Sequence, residues 1–353
     1  MRVLAVTKYG TVAASTRQRF VQYEPVLKAA GIEVSYAPFF DNGYVQKLMD
    51  GEARSLISVG RRYWRRLRDL ASARKFELLW VHCELFPYLP VEWLARVIKR
   101  PIVFDYDDAI FHLYDNSGSR WVRRILSRKL QPLLKIAKVS CCGNKYLQDY
   151  AARFSRHTII LPTVVDTSVY LPAVPNRTSP PIVIGWIGSP TTWENVRPLL
   201  PMLRAICEQG LAQVRVIGAG AGAEQDQFPG LELVSWSAET EVNEIQQMDI
   251  GIMPLLDLPF QRGKSGYKLI QYMACGVPVI ASPIGVNAEI VSHGGNGYLA
   301  TTVEEWRRFL LKLIHDGNHR HILGAAGRER VVSSYSLQAH APRLVEAMRM
   351  AAS

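Results

Sequence analysis

Arg262-Gly-Lys264-Ser-Gly266-Tyr267-Lys268-Leu-Ile-Gln271-Tyr-Met-Ala-Cys-Gly276 runs into Val277-Pro-Val-Ile-Ala-Ser282, then Gly285-Val-Asn-Ala-Glu289-Ile-Val291 and Gly294-Gly-Asn-Gly297. The spacing predicts a helix over 266–275, entered from a glycine-rich loop. Leu269, Ile270 and Met273 share one face of it, and Gly276 stands where helices end in a left-handed residue. Val277 to Ala281 is a short, apolar, β-branched run, as in a buried parallel strand. The loop suits an anion. A helix start offers free backbone N–H groups and a positive dipole end, and Arg262, Lys264 and Lys268 add three cations. A solvated basic loop before an ordinary surface helix is the alternative.

From this stretch the same grammar extends in both directions. Arg2–Thr7 reads as a first core strand, followed by the loop Lys8-Tyr-Gly10-Thr11 and a helix carrying Phe20, Tyr23, Val26 and Leu27 on one face. Loops at the carboxyl ends of parallel strands are where open α/β sheets bind ligands. Gly10, Arg17 and Arg19, in and just after this loop, are therefore candidate ligand contacts, with a solvated first helical turn as the alternative. The strand Ile102-Val-Phe104 ends in Asp105-Tyr-Asp107-Asp108. Aspartate is depleted in strands and must be solvated, paired or bound. Asp107 and Asp108 are read as candidate catalytic acids. Magnesium ligation and a helix N-cap are the other readings. After a proline-rich linker at 172–181 the pattern restarts, with Gly188-Ser189 behind a new first strand.

The donor stretch resembles the nucleotide-sugar-binding segment of GT-B glycosyltransferases, in particular glycosyltransferase family four. There a glutamate, seven residues and a second glutamate precede Ala-Met-Ala-Cys-Gly-x-Pro-Val-Ile-Ala-Ser and Glu-Ile-Val. This chain keeps Met273 to Ser282, Glu289-Ile-Val291 and Gly297-Tyr-Leu. It has Gly263 and Gln271 at the two glutamate positions, and Ser189 where arginine is common. The resemblance implies two doubly wound, Rossmann-like α/β domains facing across a cleft. Residues 1–172 would bind the acceptor and 173–353 the donor, with the last helix, about 337–350, crossing back to the first domain.

It also implies transfer of a sugar from a nucleotide-diphosphate-sugar to an acceptor hydroxyl, with retention, in glycan, polysaccharide or glycolipid synthesis. Gly188, Ser189, Arg262, Gly263, Lys264, Ser265, Gly266, Tyr267, Lys268, Gln271 and Glu289 would form the donor site. Lys264 would also act catalytically, at the leaving phosphate. Gln271 would hydrogen-bond the ribose. No cofactor and no metal are expected, the nucleotide-sugar being a substrate. Two alternatives remain. One is a GT-B epimerase of nucleotide sugars. The other is a non-catalytic binding protein, for which the loss of both glutamates speaks.

Charge adds a partner. The net +11 is unevenly placed: residues 1–172 carry a balance of +12 and the remainder −1. Arg54, Arg61, Arg62, Arg65, Arg66 and Arg68 interleave with Ile57, Trp64 and Leu67, and a second basic segment spans 120–138. Arginine opposite apolar residues at helical spacing reads as an anionic membrane surface or as a solvated helix packed on its own domain. Two such segments favour the membrane. Nucleic acid is not expected, since no RNA or DNA module motif accompanies them. Five cysteines without metal-type spacing, a first strand in place of a leader, and no apolar run near the roughly 20 residues that span a bilayer predict a cytoplasmic protein, peripheral at the membrane's inner face.

Overall fold

The computed structural model describes residues 1–43, 56–172 and 179–353, with the backbone alone at 56–59. Arg54, the side chain of Ile57 and positions 173–178 of the linker lie outside the described residues. The chain divides into two compact units. The first comprises Met1–Val164, Gly263–Ser265 and His340–Ser353; the second comprises Val165–Arg262 and Gly266–Ala339.

Among the described residues, each unit holds one parallel sheet of six strands. The first is built from β1 (Arg2–Tyr9), β2 (Glu33–Phe40), β3 (Leu78–His82), β4 (Ile102–Tyr106), β5 (Val139–Cys142) and β6 (Thr158–Ile160), in the order β2-β1-β3-β4-β5-β6. Strands β3, β4 and β5 are buried throughout, which is why they read as near-continuous apolar runs. The second has β7 (Ile182–Ile187), β8 (Ala212–Ile217), β9 (Leu231–Val234), β10 (Ile250–Met253), β11 (Val279–Ala281) and β12 (Gly297–Leu299), in the order β12-β11-β10-β7-β8-β9. Helices alternate with the strands, as parallel pairing requires.

Each strand order reverses once, beside β1 in the first sheet and beside β7 in the second. Crevices at such reversals are where ligands enter doubly wound sheets. The sequence fills them with the Gly10 loop after β1, Gly188-Ser189 after β7, and the 254–266 loop after β10. The core of the second unit closes around Trp186, Trp193 and Tyr272, all fully buried. That of the first closes around Phe104, Tyr106 and the loop residues Phe86 and Phe111.

Candidate active site

In the second unit the donor stretch forms as its spacing predicts. The helix spans Tyr267–Ala274 and is entered at Gly266, whose φ of +67° is a left-handed conformation. A Cβ at Gly266 would lie 2.5 Å from Ile290 Cδ1, so the residue is small for packing as well as for its backbone. Gly266 provides no side-chain cap, so the positive end of this helix is not closed by its own N-cap residue. Lys268, in the first turn, lies across Gly188: its Nζ is 5.5 Å from the Trp186 ring centroid. A Cβ on Gly188 would approach Lys268 Cε to 2.8 Å. The end of β7, the helix start and a lysine thus converge at the reversal of the second sheet. Ser189 is exposed, and its backbone N–H donates to Thr192 Oγ1 at 3.1 Å, fixing the turn after β7.

Other donor candidates are placed differently. Arg262 makes a two-pronged ion pair with Asp257, Nε to Oδ1 at 2.8 Å and Nη2 to Oδ2 at 3.1 Å, both partners being half-exposed. Glu289 is exposed on the short helix Asn287–Ile290, whose Ile290 touches the Gly266 position. Tyr267 packs against the core of the unit. Gln271 is buried and donates to Tyr170 Oη at 3.2 Å; Tyr170 in turn donates to Glu241, which also accepts from Trp236 Nε1 at 2.6 Å. The ribose contact expected of Gln271 is therefore replaced by an internal polar chain. The whole face from Leu269 to Ala274 is buried, and an amide there must find its partner inside.

The tripeptide Gly263–Ser265 belongs to the first unit. Gly263 is buried, and a Cβ there would stand 2.4 Å from Ala109 Cβ and 3.1 Å from its backbone nitrogen. Asn144 Nδ2 donates to the carbonyls of Gly263 at 3.1 Å and Lys264 at 3.0 Å. Its Oδ1 accepts from Leu147 N–H at 2.9 Å and caps the helix Lys145–Ala151. The cap is legible in the sequence; the second use of the amide is not. Lys264 and Ser265 remain half-buried.

The acids after β4 divide by burial. Asp105 is fully buried and takes a bidentate pair from Arg19, with Nε and Nη2 each at 2.9 Å, while Arg19 Nη1 donates to Leu161 O at 2.7 Å. Arg19 is therefore not a contact to phosphate or acceptor. It is wholly buried and its pKa is raised: burial works against the charge and Asp105 more than restores it. Arg17 is half-buried on the same helix, Ala14–Arg19. Gly10 is buried where a Cβ would overlap the Asn42 side chain, and Asn42 Oδ1 accepts from Val12 N–H at 3.3 Å.

Asp107 is half-buried at the carboxyl end of the sheet. It accepts from Thr163 Oγ1 at 3.1 Å, and its Oδ1 lies 3.6 Å from His82 Nε2, the distance of an ion pair and not of a hydrogen bond. Burial would raise its carboxyl; His82 and Arg19 outweigh this and hold it at about 2. Burial likewise lowers His82, but Cys83 and Asp107 push it up to about 10. Burial raises the Cys83 thiol, leaving Asp107 as the charged partner. Both shifts run in the direction of an imidazolium–carboxylate pair. His82, which sequence reasoning passed over, is recognisable afterwards as the last residue of a core strand. Gly143 leaves room: a Cβ there would lie 2.8 Å from Asp107 Cα. Asp108 is half-buried, and its carbonyl accepts from Ile110 N–H at 2.8 Å. Neither acid caps a helix, since the next one, His112–Asp115, starts from Phe111 without a side-chain cap. Among the described residues, His82, Cys83 and Asp107 bring ligand atoms within 4.8 Å of one another, the one grouping there with metal-ligating chemistry.

The sequence model of the family described as Glycosyl transferases group 1 matches residues 181–316. Solved structures share the architecture over nearly the whole chain. HepE from Anabaena, solved in complex with UDP, is 16% identical and superposes with a TM-score of 0.73, covering 99% of this chain and 100% of its own. Sucrose-phosphate synthase from Thermosynechococcus elongatus gives 14% identity, coverage of 99% and 98%, and a TM-score of 0.73. A glycosyltransferase from Rickettsia africae ESF-5 gives 13%, 99% and 98%, and 0.67. Residues 181–316 thus match the Glycosyl transferases group 1 model, and the chain has the GT-B fold.

Proposed function

We propose that the protein transfers a sugar from a nucleotide-diphosphate-sugar to an acceptor hydroxyl, with retention at the anomeric carbon. The observation that carries the reading is the start of the helix Tyr267–Ala274. An uncapped dipole end and Lys268 meet the Gly188 turn where the second sheet reverses. HepE has been solved with UDP-glucose, which supports a nucleotide-sugar as the donor here. In this reading Gly188, Ser189, Gly266, Tyr267 and Glu289 shape the donor site. Arg262, Lys264 and Lys268 neutralise the diphosphate, and Ser265 hydrogen-bonds to it. As the leaving group gains charge these cations stabilise it more, which lowers the barrier. Asp107, kept ionised by His82, contacts the acceptor or the sugar hydroxyls. Gly10 and Arg17 border the acceptor side.

No metal takes part in this reading. The acceptor is a glycan or lipid-linked hydroxyl, reached from the cytoplasm, and the free state of the five cysteines fits a reducing compartment. Among the described residues no helix is long and apolar enough to cross a membrane. A thermal-shift screen of nucleoside diphosphates and their sugars, followed by turnover with the best donor, tests the function. Stabilisation by a nucleoside diphosphate and acceptor-dependent release of it support transfer. Product formed without acceptor identifies an epimerase, and binding without turnover identifies a binding protein.

A further inference from the structure

On the helix Leu56–Ser72, Trp64 and Leu67 do not turn inward as simple amphipathicity implies. Among the described residues 60–72 of this helix the buried ones are Arg66 and Leu70, with Tyr63 partly buried beside them. Arg66 is held by two carbonyls, Nη1 to Ala37 O and Nη2 to Thr7 O, both at 2.6 Å. That anchor fixes the rotation of the helix and leaves Trp64 68% and Leu67 42% exposed. Arg61, Trp64, Arg65 and Arg68 line one shallow groove. The helix Arg120–Leu126 repeats the arrangement, with Trp121 74% and Ile125 54% exposed beside Arg120, Arg123 and Arg124.

The two helices are joined by a chain of contacts within the first unit. Tyr63 Oη donates to Pro87 O at 2.5 Å. The next residue, Tyr88, is exposed and meets Tyr114 edge-on, centroids 6.2 Å apart. Leu113, exposed beside Tyr114, lies on a helix that packs against Arg120–Leu126. Single exposed apolar residues are ordinary, but two tryptophans each set among exposed arginines on helices of one unit are not. We infer that Trp64, Leu67, Tyr88, Leu113, Trp121 and Ile125 form a belt that docks the first unit on an anionic lipid surface.

Charge complementarity supplies the occupant: residues 1–172 carry a balance of +12. Arginine draws the unit to anionic headgroups, and tryptophan and tyrosine settle at the headgroup level. Aliphatic Leu67, Leu113 and Ile125 have acyl chains to enter; a nucleic acid would give them nothing to bury against. The inference rests on the proposed transfer only for its purpose, access to a lipid-linked or membrane-proximal acceptor.

Co-sedimentation of the full chain with phosphatidylserine-containing and pure phosphatidylcholine vesicles tests it. Binding to the anionic vesicles alone, weakened tenfold or more at high salt, is expected. Trp64→Ser with Trp121→Ser, which leaves the charge unchanged, weakens it at least tenfold. Arg61→Glu with Arg68→Glu abolishes it. The thermal shift given by the best nucleoside diphosphate stays at the wild-type value in both variants. Undiminished vesicle binding by the tryptophan pair overturns the belt, as does equal indifference to both vesicle types, or displacement from vesicles by an oligonucleotide with the tryptophans irrelevant. A chain that binds vesicles but no nucleotide refutes the donor reading and leaves the belt standing.

Discussion

Gly263 stands where the resembling family has a glutamate, and the structure gives a steric reason. A Cβ at 263 would lie 2.4 Å from Ala109 Cβ, 3.1 Å from its nitrogen and 3.2 Å from its Cα. Carbon atoms rest near 3.5–4.0 Å, so the nearest contact is about 1 Å too short. Ala109 is fully buried and cannot swing aside. Nor can the tripeptide slide away, because Asn144 holds the Gly263 and Lys264 carbonyls. Gly263→Ala therefore costs about 1–3 kcal/mol of overpacking, with about 1 kcal/mol more if an Asn144 bond breaks. At roughly 2–4 °C per kcal/mol for a unit of this size, the melting temperature falls by several degrees and nucleotide affinity falls with it. Gly263→Glu, which recreates the family residue, is worse and inactivates the enzyme. The decisive measurement is the double variant. Ala109→Gly removes the 2.4 Å contact, so Gly263→Ala placed on top of it recovers at least 1 kcal/mol relative to the sum of the single changes. Strict additivity in a urea titration, or a Gly263→Ala protein with wild-type melting and binding, refutes the reasoning.

Gln271→Glu sets a carboxylate against Tyr170 Oη, whose own proton is already given to Glu241; an unmatched buried acceptor costs about 1–3 kcal/mol, seen as a lower melting temperature, and full stability would return Gln271 to the ribose. Asp105→Asn strands the buried Arg19 charge and destabilises by about 3–5 kcal/mol, whereas Asp108→Asn leaves the melting temperature nearly unchanged. Asp107→Asn slows turnover and also removes about 2 kcal/mol of stability, because the carboxyl drops from its usual 3.8 to about 2 on folding; that contribution is present above pH 3.8 and is lost as pH falls through 2. The His82 contribution has the opposite sense: raised from 6.5 to about 10, it is complete below pH 6.5 and disappears as pH rises through 10. Melting temperature thus declines over pH 6.5–10 in the wild type, and His82→Gln flattens that decline; an unchanged slope counts against the ion pair.

Both sheets were legible in the sequence because buried parallel strands are apolar runs and the turns between them are marked by glycine. The pairing of charges was less so. Thr16, Arg19, Phe20 and Tyr23 recur at helical spacing, and all four are buried. Arg19 shared that inward face, and the signal could have been read against its arginine identity. Its partner Asp105 lies 86 residues away, and no local rule links them. In Tyr267–Ala274 every residue from Leu269 on is buried, so periodicity gave no hint that Gln271 points into the unit and not at a ligand. Around Trp64 the sequence left the rotation of the helix open: two backbone carbonyls on β1 and β2 recruit Arg66 inward and turn the tryptophan out.

The two lost glutamates and the lost arginine at Ser189 bear on one electrostatic question, how a diphosphate is neutralised here. Removing two carboxylates makes the donor stretch more positive, which offsets the missing cation. The remaining three cations are not equivalent. Arg262 already holds Asp257 in an exposed ion pair, worth about 0–1 kcal/mol, and must share or break it to reach phosphate. Lys268 rests against Trp186 at the open helix end. A charge-assisted bond is worth about 1.5–3 kcal/mol, so Lys268→Ala weakens nucleoside diphosphate binding by roughly tenfold to a hundredfold. Arg262→Ala weakens it less, by about the difference between that bond and the pair it gives up. Asp257→Asn releases the arginine and tightens binding a few-fold at low salt. Calorimetric titration of the three variants ranks them. If Arg262→Ala proves the most damaging and Asp257→Asn is neutral, the diphosphate lies along the 257–262 segment and not at the start of the helix.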